Sequence, residues 1–109
     1  MVEGFYTTTF KTHAAVEGAG IVIMKAGKLV GGDNAYKYVG DYADCNGSLK
    51  VNVLATRFAP GVSVFGDVDE LKFTFIANLT DTGVCFKGTL LDAPDEQLEV
   101  MLCRQPEMI

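Results

Sequence analysis

The sequence predicts an all-β protein, a single small antiparallel up-and-down barrel of about eight short strands. Three observations carry this. Apolar residues recur at every second position through most of the chain, the period of a strand with one buried face. Gly, Asn and Asp divide those runs at short, regular intervals. The spacing of an amphipathic helix is almost absent. Successive hairpins that each carry one apolar face can close on themselves, and closure removes the exposed edges along which open sheets aggregate.

Taken in order, Tyr6, Thr8 and Phe10 share one face near the start of the chain, with Phe5, Thr7 and Thr9 on the other. A continuous apolar strand over 19–25 turns at Ala26-Gly27, where glycine supplies the positive φ of a tight hairpin. Residues 28–30 then return into Gly31-Gly32-Asp33. Over 35–43, Tyr36, Tyr38, Gly40 and Tyr42 alternate with Lys37, Val39 and Asp41. After Asn46-Gly47 the apolar phase is Leu49, Val51, Val53 and Ala55, and later Leu71, Phe73, Phe75 and Ala77. Past the Asp81-Thr82-Gly83 turn it continues through Val84, Phe86, Gly88 and Leu90, and the last strand sets Leu98, Val100 and Leu102 against Glu99, Met101 and Cys103. The one long break, 58–69 with Pro60-Gly61 and Gly66, predicts a loop or at most a short helical turn over one barrel end. The domain is expected to span 1–104, with 105–109 as a tail.

Composition narrows the function classes. Apolar residues make up 49% and charged ones 21%, which is a globular balance and not a disordered one. A net charge of −5 opposes nucleic acid, since phosphate binding needs a basic footprint. Neither a basic, apolar leader nor a run long enough to span a bilayer is present, so the expected location is cytoplasmic, with no membrane contact. Cys45, Cys85 and Cys103 are odd in number and widely spaced, and so predict buried free thiols and no disulfide or zinc pair.

Catalytic constellations are hard to build. His13 is the single histidine and sits in an expected turn, away from any nucleophile it could activate. Asp67, Asp69 and Glu70, like Asp92, Asp95 and Glu96, fall in expected turns as solvated acids. The expectation is therefore a binding protein and not an enzyme, with no metal and no cofactor.

An eight-stranded barrel either just fills with side chains or holds one small ligand. The expected interior consists of Tyr6, Phe10, Tyr36, Tyr38, Tyr42, Val51, Val53, Phe73, Phe75 and Phe86, with small residues at Gly40, Ala55, Ala77 and Gly88 among them. The tyrosines are either core aromatics whose hydroxyls reach the rim, or groups that orient an apolar ligand by its polar end.

Several segments together resemble a known family. Gly4-Phe5-Tyr6-Thr7-Thr8-Thr9-Phe10, Glu17-Gly18-Ala19-Gly20-Ile21, the run Lys25-Ala26-Gly27-Lys28-Leu29-Val30-Gly31-Gly32-Asp33, and Tyr38-Val39-Gly40-Asp41-Tyr42 are similar in kind and order to the negative regulators of type III secretion, the GrlR-like proteins. The resemblance implies a small lipocalin-like barrel that forms homodimers and sequesters a transcriptional activator by protein–protein contact. It places the partner-binding acids at Asp41 and Asp44. The alternative reading is a carrier or sensor of a small apolar molecule in the barrel interior.

Overall fold

Residues 3–12, 15, 17–45, 47–79, 83–91 and 95–106 are described in a computed structural model, with the backbone alone at 45, 78–79 and 83–86. Eight strands form in chain order: β1 (Gly4–Thr12), β2 (Glu17–Lys25), β3 (Lys28–Gly32), β4 (Tyr36–Cys45), β5 (Ser48–Arg57), β6 (Glu70–Leu79), β7 (Gly83–Leu90) and β8 (Gln97–Arg104). Each pairs antiparallel with its neighbours, and β8 returns to β1, so the sheet is a closed barrel. Among the described residues there is no helix, hence none long and apolar enough to cross a membrane. The 58–69 break takes the loop alternative, with an isolated Ser63–Gly66 bridge inside it.

The predicted phase matches the observed one wherever side chains are described. Leu49, Val51 and Ala55 on β5 point inward, as do Leu71, Phe73, Phe75 and Ala77 on β6 and Leu98, Val100 and Leu102 on β8. The strand expected over 19–25 begins earlier, at Glu17, and alternates strictly: Val22 and Met24 are buried while Ile21 and Ile23 are exposed. The cysteine expectation needs correcting. Cys103 is a free thiol but exposed, because it follows buried Leu102 and so takes the outward phase of β8. The side chains of Cys45 and Cys85, the acids Asp81 and Asp92, and His13 lie outside the described residues.

Two of the small inward residues serve the backbone and leave no space behind. A Cβ at Gly40 would lie 2.1 Å from the Asn52 carbonyl oxygen, and one at Gly88 would lie 2.0 Å from that of Thr74 and 2.7 Å from the Phe75 ring. Glycine at these positions lets the strands coil tightly enough for the barrel to close, and Phe75 covers its cross-strand partner Gly88.

On the outer surface, strand register aligns Ile23, Val30, Val39 and Leu54 as one continuous row across β2 to β5. All four are exposed. Lys37 and Asp41 flank Val39 two residues away on either side, each also facing solvent.

The β2–β3 hairpin is a two-residue turn in which both Ala26 (φ 53°) and Gly27 (φ 80°) are left-handed. This is the turn geometry that matches the right-handed strand twist, and it favours Asn-Gly. Alanine in that region is strained by roughly 1–2 kcal/mol. Ala26→Asn is therefore expected to raise unfolding stability by about 0.5–1 kcal/mol, read from the midpoint of a denaturant titration at constant slope.

Candidate functional site

The two barrel ends differ. At one end lie the tight β2–β3 hairpin and the starts of β1, β3, β5 and β7. Met24, Val51 and Ala77 are sealed there at 0% exposure. At the other end lie the β3–β4 turn and the 58–69 loop, and the interior there opens into a cavity of about 370 Å³. That volume falls within the range of small-molecule sites, about 300–1,000 Å³. Val22, Leu29, Val53, Ala55, Phe73 and Val100 make up much of its apolar wall.

Of the expected interior residues, Phe10, Tyr36, Tyr38, Val53, Phe73 and Phe75 line this cavity. Tyr6, Tyr42 and Val51 sit instead towards the packed end. Tyr6 is buried under the Arg104 guanidinium, 5.9 Å from its ring centre, and Val51 is fully buried. Tyr42, half-buried, pairs with Val51 across β4 and β5. The Phe86 side chain lies outside the described residues. Asp41 and Asp44 are both exposed; Asp41, on the outer face of β4, accepts a hydrogen bond from Asn52 Nδ2 at 3.1 Å, and Asp44, near the end of β4 opposite Leu49, accepts one from the Gly47 amide at 3.3 Å.

The loop over the open end is tied down by its neighbours. Arg57, the last residue of β5, bonds Asp69 through Nε and Nη2 at 3.0 and 2.8 Å, Asp67 through Nη1 at 2.6 Å, and the Gly61 carbonyl at 2.7 Å. Its guanidinium also lies 5.8 Å from the Tyr36 ring centre. Hydrogen bonding to Asp67 first, then to Asp69, raises its pKa further above its ordinary value. Asp67 and Asp69, expected to be merely solvated, are exposed but ion-paired. Tyr36 adds a bond from its hydroxyl to the Val68 carbonyl, and Val64, Phe65 and Val68 pack on the core. Val62, Ser63 and Val64 thus become part of the cavity wall.

One wall of the cavity is polar, and sequence reasoning missed most of it. Asp33, at the β3–β4 turn, accepts the Ala35 and Tyr36 amides on Oδ1 at 2.9 and 2.7 Å. Its Oδ2 accepts the Tyr38 hydroxyl at 2.5 Å. Gly20 stands close beside them: a Cβ there would lie 2.7 Å from the Gly32 carbonyl oxygen and 3.3 Å from the Tyr38 hydroxyl. Thr8 is the cross-strand partner of Gly20. It is 3% exposed and lines the cavity, and its hydroxyl has no hydrogen-bond partner. An orphaned buried hydroxyl costs roughly 1–3 kcal/mol, so it is rarely left without a use. The Phe10 and Tyr38 rings meet edge to face, 6.4 Å apart, beside this patch. Among the described residues no cluster of His, Cys, Asp and Glu could hold a metal ion.

Fold and site define a class: a closed eight-stranded antiparallel β-barrel with one open, mostly apolar interior cavity. No protein-family model matches the chain, and no curated protein matches it. Among solved structures it is similar to a redesigned β-barrel, at 17% identity and a TM-score of 0.52, over 96% of this chain and 92% of that one. At that identity the likeness shows the fold alone.

Burial raises the Tyr38 phenol well above its ordinary pKa, and the bond to Asp33 and the negative charge of Asp33 raise it further. The raised value belongs to the folded state. Its stabilisation is therefore complete below the unfolded tyrosine value of about 10 and is lost as pH rises beyond it. Wild type is expected to lose stability more steeply than Tyr38→Phe between about pH 10 and 12, as followed by urea unfolding. At pH 7 the variant should be the less stable of the two by about 1–2 kcal/mol.

Proposed function

We propose that the protein is a non-enzymatic binding protein that holds a small, mostly apolar molecule inside the barrel. The observation that carries this reading is the open cavity of about 370 Å³, mostly apolar in lining, with Thr8, Asp33 and Tyr38 among its few polar groups. An eight-stranded barrel has no structural need for such a space, since interiors otherwise close-pack. The non-enzymatic part rests on Tyr38. A general acid works best with a pKa near the working pH, and burial and Asp33 move this phenol the other way. The test is titration with the neutral apolar dye Nile red. Fluorescence enhancement that saturates at one site per chain is expected. Val53→Phe, which places a ring into the cavity, should weaken binding at least about tenfold while far-ultraviolet circular dichroism stays unchanged. A dye affinity untouched by Val53→Phe would count against an interior site.

A second reading follows the resemblance to GrlR-like regulators, in which a lipocalin-like dimer sequesters a protein partner in the cytoplasm. What favours it is the exposed row Ile23, Val30, Val39 and Leu54, because a barrel exterior is otherwise polar. The stretch 43–48, where the resemblance places the acidic contact, carries one acid, Asp44, with Asp41 just before it. Under this reading, light scattering behind size exclusion gives a dimer mass, and Val39→Lys converts it to a monomer. A monomer at high concentration in the wild type would end it.

A further inference from the structure

We propose that the cavity's preferred occupant is a protonated amine carried on an apolar body, with the ammonium group seated against Asp33, Tyr38 and Thr8. This deepens the ligand-binding reading and rests on it. The charged side chains lining the cavity are Glu17 and Asp33, both acids, and no lysine or arginine lines it among the described residues. A carboxylate or sulfate head would therefore meet like charge with no counter-ion, whereas an ammonium would meet opposite charge.

Hydrogen-bonding capacity points the same way. Asp33 can only accept when ionised, and Tyr38 already gives its proton to Asp33 Oδ2, so the phenol oxygen presents lone pairs to the cavity. Thr8 supplies a third oxygen, buried and unpartnered, on the neighbouring strand wall. Three oxygens on the cavity wall, from Asp33, Tyr38 and Thr8, call for a donor, and an ammonium brings up to three N–H groups. The Phe10 and Tyr38 rings, set edge to face at 82°, add aromatic surface of the kind that attracts cations. The rest of the wall, from Val22 and Leu29 to Phe73 and Val100, suits a hydrocarbon or ring body. The net charge of −5 draws cations towards the mouth and repels anions.

The experiment displaces Nile red from the full chain at pH 7 with dodecylamine, dodecan-1-ol and dodecanoate, each below its micellar concentration. The three share one chain length and differ in head charge. Dodecylamine is expected to displace the dye at about tenfold lower concentration than dodecanoate, with the alcohol in between. Glu17→Gln, at an exposed position, should narrow the amine-to-carboxylate gap by about threefold. Thr8→Val should weaken the amine several-fold more than it weakens the alcohol. Dodecanoate binding as tightly as the amine overturns the amine assignment while leaving the ligand-binding reading intact. Failure of every probe, the dye included, overturns both.

Discussion

The pairing of β8 with β1 is the constraint on which the rest of the molecule depends. It joins residues 6–12 to 98–104 in an antiparallel ladder, and it is the only contact that makes a closed surface from what would otherwise be a ribbon of hairpins. Closure satisfies the backbone groups of both terminal strands and fixes the enclosed volume. Strand register then follows from burial, since a one-residue slip would turn every inward Val, Leu and Phe to solvent. The hold continues past β8, where the Gln105 amide bonds the Phe5 carbonyl at 2.8 Å and its side chain reaches Thr7.

Enclosed volume and side-chain supply do not match along the barrel axis. Towards one end Met24, Val51, Leu49 and Ala77 fill the section, and Tyr6 completes it beneath Arg104. Towards the other, Thr8, Val53 and Ala55 face the interior without filling it. The 58–69 loop, clamped by Arg57 and by the Tyr36 hydroxyl, covers part of the resulting space without plugging it. The outcome is a rigid base beneath a shaped cup.

Most of the fold was legible because two-residue alternation and turn residues are local signals. They placed the hairpins at Ala26-Gly27 and around Asp33, and they set the inward phase of Tyr36, Val51, Phe73 and Val100. Ala26 itself, left-handed without being glycine, is a local departure from that logic. The cavity was legible only in part. Six of the residues assigned to the interior line it, but nothing in the sequence divides them from Tyr6, Tyr42 and Val51, because depth along the barrel axis is set by stagger between strands. The polar wall was hidden for the same reason. Thr8, Gly20, Asp33 and Tyr38 lie on β1, β2, the β3–β4 turn and β4, and the register across these neighbouring strands brings them together. Asp33 read as an ordinary turn residue, and it is one, since its Oδ1 shapes the β3–β4 turn. Its second oxygen faces a different task.

The seam also gives the molecule a direction. Gly4 and Arg104, the outermost residues of the two paired terminal strands, lie side by side at the packed end. The cup opens at the opposite pole. A surface, a fusion partner or a label joined near either residue would therefore hang from the sealed base and leave the mouth pointing outward. A barrel arrayed in this way presents every cavity to the bulk liquid, whichever strand it is fastened by.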